Sequence, residues 1–301
     1  MMIRNQQARI WVTLSVTSLA CTTTNMVPVG DSHSDHAPPA SANAIAAPQT
    51  QGLPPDASGA LSRLGDSPRH GEWVTVRTGD GDSLRTWVVY PERSTKAPVV
   101  IVVHEVYGLS SWVRSVADQV AADGFIAIAP DLLTMKNLPD VPDSILAPLA
   151  VAATRTLDAG WVQRQLDAVA QYGMSLPAAQ KRYGIVGFCW GGGVSFAYAV
   201  HSPTLGASVV YYGTSPPTAS LDSVRAPVLG LYGGNDARVD ATIPPADSAL
   251  RALGRTYNHA IYPGAGHGFL RQRTGADGAN LAAARAAWPA TLAWFRKYLG
   301  S

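Results

Sequence analysis

The sequence predicts an α/β fold in which a mostly parallel sheet of about eight strands is covered by helices on both faces. Two uninterrupted apolar runs, at 98–103 and 125–129, are typical of strands that are buried on both faces. Between them, apolar residues at 112–121 follow helical spacing. This alternation of strand and helix continues to the C-terminus, which favours parallel strands joined by helical crossovers.

The elements follow in order along the chain. Trp73, Val74 and Val76 alternate with polar residues, the run 79–82 is rich in turn residues, and the strand 84–90 completes a hairpin. Further strands are predicted at 98–103, 125–129, 183–188, 207–212, 228–232 and 257–262, and helices at 112–121, 143–173 (with interruptions), 191–201, 242–253 and 279–299.

Composition excludes several classes of protein. The net charge of the 301 residues is +2 with no basic block, so no nucleic-acid partner is expected. No apolar run reaches the roughly 18 residues of a membrane-spanning helix, and two cysteines exclude a disulfide scaffold. No dinucleotide-binding glycine motif follows the first buried strand, and the adjacent His104 and Glu105 lack zinc-ligand spacing. We therefore expect no cofactor and no metal.

Residues 1–21 have the features of an export signal. Arg4 and Arg9 precede a short apolar stretch, and the small residue Ala20 stands before Cys21. This stretch also resembles a lipoprotein signal, in which Cys21 would carry the lipid and attach the protein to a membrane, although Ser18 stands where such signals prefer leucine. We expect a protein that is exported, either to the periplasm or lipid-anchored to the cell envelope. The alternative is a start that carries no signal.

Residues 22–68 contain no aromatic side chain and are rich in Ala, Pro, Ser and Thr. Such a segment buries too little apolar area to offset its ordering entropy, so we expect a flexible linker. The α/β domain is then predicted to cover residues 69–301.

Cys189 is the candidate nucleophile. In the run Gly-Phe-Cys-Trp-Gly at 187–191 it stands between a predicted strand and a predicted helix, and the flanking glycines permit a sharp turn. The start of the helix favours a thiolate and also the oxyanion that forms during acyl transfer. The alternative is a buried structural cysteine.

Asp236 and His267 each follow a predicted strand, in glycine-rich loops. The order of nucleophile, acid and histidine is that of the α/β-hydrolase fold. His267 would accept the thiol proton and later protonate the leaving group, and Asp236 would fix its tautomer. Asp240 is the rival acid, and either Asp236 or His267 taken singly could be an ordinary loop residue.

Glu105 follows the strand 98–103 and is expected at the same edge of the sheet as Cys189. A carboxylate there could exchange a proton with the thiol, hold a cation, or form a structural salt bridge. The backbone N–H groups of Val106 and Trp190 are candidates for the oxyanion hole. His104 is interpreted as a packed neighbour rather than as a second base.

Together these segments resemble the dienelactone hydrolase family over residues 72–299. The resemblance is carried by 104–108, 129–132, 187–192, 233–236 and 266–269. It implies an α/β-hydrolase fold, hydrolysis of the lactone dienelactone without metal or cofactor, and a triad of Cys189, His267 and Asp236. It further implies that Glu105 helps to generate the thiolate when substrate binds.

One departure from the family pattern concerns the substrate. Members specific for dienelactone hold its carboxylate with two arginines; Arg271 matches one, and Met135 aligns with the other. Methionine cannot bind a carboxylate by paired hydrogen bonds. With Tyr107, Trp112, Trp190 and Phe269, it is predicted to line a more apolar pocket. Arg271 could instead be a surface charge, and the aromatic residues could be core.

The predicted function is therefore hydrolysis of small esters or lactones by a monomer whose partner is a small-molecule substrate. Two alternatives stay open on the same fold: an exported binding protein without turnover, and a cell-envelope acyltransferase.

Overall fold

The computed structural model describes residues 51–300. The predicted export signal at 1–21, the lipidation of Cys21 and the predicted linker as far as residue 50 lie outside the described residues. Within them, no helix is both long enough and apolar enough to span a membrane.

A sheet of eight strands forms the centre of this part of the chain. The strands are β1 (Gly71–Arg77), β2 (Ser83–Val89), β3 (Ala97–Val103), β4 (Ile126–Pro130), β5 (Ala179–Phe188), β6 (Ala207–Tyr211), β7 (Val228–Gly233) and β8 (Tyr257–Tyr262). Their spatial order is β1-β2-β4-β3-β5-β6-β7-β8. β2 pairs antiparallel with β1 and β4, and all other neighbours are parallel. The predicted eight-stranded, mostly parallel sheet is confirmed.

The helices cover both faces of the sheet. They are α1 (Ala60–Gly65), α2 (Ser111–Ala122), α3 (Asp143–Thr154), α4 (Ala159–Ser175), α5 (Trp190–His201), α6 (Ala237–Asp240), α7 (Ile243–Ala252) and α8 (Ala279–Leu299). β3 shows why its sequence does not alternate: Val100 and Val102 belong to the apolar cluster that includes residues of α2 and α8, whereas Val99 and Ile101 belong to the one that includes residues of α4, α5 and α7. All seven residues of β3 are buried, as expected for a strand between two helical layers.

Parallel pairing brings the carboxyl ends of β3, β5, β7 and β8 to one edge of the sheet. The loops that follow these strands carry Glu105, Cys189, Asp236 and His267. The topology therefore explains how residues up to 162 positions apart along the sequence come together.

The stretch 51–68 differs from the predicted flexible linker, because it is folded against the domain. Leu53 and Ala60 are buried in the core, the N–H of Ala57 donates to the carbonyl of Arg271 over 3.0 Å, and Trp112 Nε1 donates to the carbonyl of Pro55 over 3.0 Å. The composition of this segment does not reveal these contacts, because only two apolar side chains and a few hydrogen bonds attach the segment to the domain.

A buried carboxylate, Asp118 on α2, attaches this segment to the domain. Arg69 donates to it twice, over 2.9 and 2.7 Å. Arg63 of α1 donates over 2.6 Å, and Ser67 also bonds to it. Burial opposes the charge on Asp118, but the bonds from Arg69, Ser67 and Arg63 outweigh it and lower the pKa of Asp118.

We expect Asp118→Asn to lower the free energy of unfolding by about 3 kcal/mol at neutral pH, because it leaves two arginines without their buried partner. Urea denaturation measures the loss. The matched control is Asp80→Asn, which breaks an exposed pair with Arg164 and should have little effect on stability. Since the pKa of Asp118 is lowered, its contribution is present at neutral pH and should be lost as the pH falls through that lowered pKa. Equal losses in the two variants would contradict a special role for Asp118.

Candidate active site

Cys189 occupies a strained turn between β5 and α5. Its φ is 56° and its ψ is −116°, a region that costs a residue with a side chain about 1–3 kcal/mol. The turn is closed by a bond from the N–H of Cys189 to the carbonyl of Tyr211, 3.0 Å long. Such strain points to a functional constraint on this position.

Two glycines permit the turn. A Cβ on Gly187 would lie 1.8 Å from the carbonyl oxygen of Gly191, and a Cβ on Gly191 would lie 2.3 Å from the carbonyl oxygen of His104. Both positions therefore require glycine. The close approach also packs the start of α5 against the end of β3, beside Glu105 and Val106.

His267 lies near both a carboxylate and the thiol. Its Nδ1 donates to Asp236 Oδ2 over 2.5 Å, so the other ring nitrogen is available. Interaction with the nearby Cys189 raises the pKa of His267 most, burial opposes the rise, and Asp236 adds to it, giving a value of about 9. The imidazole thus has the carboxylate on one side and the thiol in its neighbourhood. Asp236, and not Asp240, is bonded to the histidine.

Glu105 is buried, with 3% of its surface exposed, and burial raises its pKa to about 7 against the opposing charges of Arg271 and His267. Arg271 Nε lies 3.1 Å from Glu105 Oε2. The two groups are close enough for an ion pair, but the N–H of Arg271 is not aligned for a hydrogen bond. The guanidinium lies over the ring of Tyr107, 4.9 Å from its centre. Glu105 therefore changes charge near neutral pH.

The candidate oxyanion donors belong to the same cavity as Cys189. Val106 and Trp190 both line it, and Trp190 is the first residue of α5, where helical N–H groups have no partner within the helix. His104 is buried and stacks on the ring of Trp190, with ring centres 5.4 Å apart. Burial lowers the pKa of His104, which suits a neutral packed neighbour.

The cavity has a volume of about 520 Å³. From Cys189 it follows the α5 residues Trp190, Val194 and Ala197 on one side and the segment 214–217 on the other, and it reaches Arg238. A space of this size accommodates a small organic molecule.

Five of the residues that were predicted to bind substrate do not line this cavity: Arg271 and Tyr107 lie beside Glu105, and the other three lie elsewhere. Trp112 is 1% exposed and packs edge-on against Phe188, with ring centres 5.1 Å apart. Phe269 is fully buried among Tyr211, Tyr212 and Tyr262. Met135 lies in the short 3₁₀ helix Thr134–Lys136 and is 44% exposed. The contacts of Trp112 and Phe269 are those of core residues, because each ring is enclosed by other aromatic rings rather than by the cavity.

Tyr212 is a residue of the site that sequence reasoning missed. It follows β6 with φ at 41°, and its ring lies 5.2 Å from the ring of His267. Its hydroxyl is buried and has no hydrogen-bond partner among the described residues. The pKa of Tyr212 is raised by burial and by the charges of Glu105 and Cys189. In the sequence, only its position at the end of a predicted strand indicates that Tyr212 could belong to the site. The sequence does not predict its positive φ.

Over the described part of the chain, no cluster of three or more His, Cys, Asp or Glu side chains has the arrangement of a metal site.

Comparison with known proteins matches residues 84–299 to the model of the dienelactone hydrolase family. A Salmonella typhimurium protein named "Putative carboxymethylenebutenolidase" is 34% identical over 239 residues, covering 75% of this chain and 87% of the relative. A Bradyrhizobium protein named "Probable 2-oxo-3-(5-oxofuran-2-ylidene)propanoate lactonase" is 30% identical over 241 residues, covering 76% of this chain and 94% of the relative. The crystal structure of a Klebsiella pneumoniae protein titled "Putative Dienelactone Hydrolase" superposes with a TM-score of 0.65 at 29% identity, covering 76% of this chain and 99% of that one.

Proposed function

The chain belongs to the dienelactone hydrolase family, and we propose that it hydrolyses small carboxylic esters or lactones through an acyl-enzyme on Cys189. The observation that carries the proposal is the hydrogen bond between His267 and Asp236, with Cys189 near enough to His267 to raise its pKa. A thiol near an imidazole at the start of a helix is suited to nucleophilic attack on a carbonyl.

In the first half of the proposed reaction, the Sγ of Cys189 bonds to the carbonyl carbon and the electron pair of the double bond moves to oxygen. The N–H groups of Val106 and Trp190 stabilise that oxyanion. As the oxyanion collapses, the bond to the leaving oxygen breaks, and His267, which its pKa of about 9 keeps protonated in the resting enzyme at neutral pH, gives that oxygen its proton. Asp236 holds the ring in the tautomer that this step requires.

In the second half, His267 takes a proton from water, and the hydroxide adds to the acyl carbon of the thioester. The carbon–sulfur bond then breaks, the acid is released, and the sulfur of Cys189 leaves as a thiolate. No metal or cofactor enters either half of the reaction.

Glu105 acts at the start of the cycle in this proposal. Its carboxylate accepts the thiol proton when substrate enters, and returns it when the product leaves. Its pKa of about 7 suits a group that gains and loses a proton near neutrality. The charge of Arg271, 3.1 Å away, keeps that value from rising further.

The substrate class is proposed from the cavity and from the names of the relatives, two of which denote lactone hydrolysis. A cavity of about 520 Å³ suits a small ester or lactone. Arg271 and Tyr107 touch each other but do not line this cavity. They are retained as proposed substrate contacts on the family resemblance alone.

Export is proposed on the N-terminal sequence alone, to the periplasm or to the cell envelope through a lipid on Cys21. A monomer is proposed as the assembly. Mass analysis of the N-terminus of the mature protein, produced in a bacterial host, tests export. Cleavage near Cys21 is the expected result, with a lipid on Cys21 if the protein is anchored and none if it is periplasmic. An unprocessed Met1 would contradict export.

Hydrolysis is tested with a panel of p-nitrophenyl esters and five- and six-membered lactones, with products identified in the presence and absence of alcohol acceptors. We expect free acids as the main products in water. Formation of new esters in preference to acids would favour the acyltransferase. Stoichiometric binding of these compounds without any turnover would favour the binding protein and contradict the proposal.

A further inference from the structure

The cavity beside Cys189 continues well beyond the reacting atoms. Val194 and Ala197 stand one and two helical turns after Trp190 on α5, and all three line it. The opposite wall is the segment 214–217, which follows β6 and includes two prolines. A substrate that reaches Cys189 can therefore extend along this groove.

The walls of the groove are apolar or neutral. Val106, Val194 and Ala197 supply aliphatic groups, Pro216 and Pro217 supply ring carbons, and Thr214 and Ser215 supply hydroxyls. No carboxylate is among the residues that line it. A negatively charged group in the groove would therefore meet no acidic side chain on its walls.

Arg238 supplies the single charge on the lining. It lies on α6, two residues after Asp236, and its side chain is exposed. Within residues 51–300 its guanidinium has no ion pair, whereas Arg164 pairs with Asp80 and Arg251 pairs with Asp247. Its five N–H donors are therefore available to a ligand.

The arginine near the triad lies outside this groove. Arg271 stands 3.1 Å from the buried Glu105 and does not line the cavity. Arg238 is thus the cation that an anionic substrate in the groove would encounter.

We propose that Arg238 is a specificity residue that binds a carboxylate carried by a substrate lying in the groove. The inference rests on the proposed function and deepens it: the preferred substrates are elongated monoanionic esters, in which an aliphatic spacer separates the scissile carbonyl from the charge. The apolar walls take the spacer, and the guanidinium binds the carboxylate by paired hydrogen bonds.

Two pairs of esters test the inference, each pair matched in length and differing in charge. p-Nitrophenyl hemiglutarate and p-nitrophenyl pentanoate place the charge or its neutral counterpart on the acyl side. The acetyl ester of 3-(4-hydroxyphenyl)propanoate and that of the corresponding amide place it on the leaving-group side. The pair that responds to Arg238 identifies which half of the substrate occupies the groove.

For one of the two pairs, we expect Arg238→Gln to lower kcat/KM for the anionic ester about tenfold and to leave the neutral ester within about twofold, the size expected for one charged contact. Arg238→Lys should restore part of the preference. The control is Arg182→Gln, which removes the same charge from the exposed start of β5 and should change neither ester.

The outcomes separate this inference from the proposed function. If wild type hydrolyses neutral esters but the ratio of anionic to neutral kcat/KM is the same in Arg238→Gln, the inference is wrong and the proposed function stands. If both members of each pair lose activity equally, Arg238 does not recognise charge, and the inference is again wrong. If wild type hydrolyses no ester at all, the inference is wrong, and the proposed function is contradicted as well if no lactone of the panel is hydrolysed.

Discussion

Replacing Cys189 by alanine is expected to lower ester and lactone turnover by at least about 10³-fold, because no other group near His267 can form the acyl-enzyme. Alanine keeps a Cβ at the position where φ is 56°, so the backbone strain should be unchanged. The fold should therefore survive. Steady-state kinetics on p-nitrophenyl acetate, with circular dichroism and thermal unfolding, measure both effects.

The chain provides a matched control, since it contains two cysteines. Cys21→Ser removes the other thiol and should leave the turnover of the purified protein within about twofold, as expected away from the reacting groups. Cys189→Ser should be intermediate, because a hydroxyl is a poorer nucleophile that His267 must activate fully. Full activity in Cys189→Ala would exclude Cys189 from the mechanism.

Replacing Glu105 by glutamine is expected to have two opposite effects. Glutamine cannot accept the thiol proton, so kcat/KM should fall about 10²-fold, in the range of a lost acid–base group. In wild type, only the ionised carboxylate accepts the proton, and its pKa is about 7. The kcat/KM of wild type should therefore rise as the pH increases through 7, and that part of the profile should be missing in the variant.

The second effect is on stability. Burial raises the pKa of Glu105 from 4.5 to about 7, so the folded state binds this proton more tightly than the unfolded state does. The free energy of unfolding therefore falls as the pH rises from 4.5 through 7, and it stays lowered above 7. Glutamine does not ionise and should stabilise the protein at pH 8 by up to about 3 kcal/mol.

Urea denaturation at about pH 5 and pH 8, together with the pH profile of kcat/KM, measures both effects. Glu92→Gln is the control, because Glu92 is exposed and its carboxylate only approaches Arg69, at 3.9 Å. It should change neither stability nor the profile. A Glu105→Gln variant that keeps the wild-type profile would contradict the role of Glu105 as proton acceptor. If Glu105→Gln is less stable than wild type at pH 8, then burial of the Glu105 carboxylate does not destabilise the folded state as argued here.

The fold was predictable because strands buried on both faces leave an apolar run without alternation, as β3 does. Several residues of the candidate site could also be predicted from the sequence. Gly187 is required for a steric reason that operates within five residues, because its Cβ would meet the carbonyl of Gly191. The reason for Gly191 is the approach of the distant carbonyl of His104. Asp236 and His267 follow strands whose ends a parallel sheet must bring together.

What the sequence did not reveal depends on long-range packing. Trp112 was expected in the pocket, but its ring packs against Phe188 and its indole N–H donates to the carbonyl of Pro55. Both partners are distant in sequence, so the residues of its own helix do not predict them. Arg238 received no role, because its access to the cavity is determined by where α6 lies against 214–217. Its lack of an ion pair among the described residues is likewise visible only in three dimensions.

The acyl-enzyme itself provides the most direct test of the central claim. p-Nitrophenyl acetate is mixed with the enzyme, the reaction is quenched in acid within the first turnover, and the peptide that contains residue 189 is analysed by mass spectrometry. The account predicts an acetyl group on the sulfur of Cys189 that disappears as acetate is released, and accumulates when His267 is replaced by glutamine. Acetate release at the full rate with no acetyl group on Cys189 at any time would contradict it.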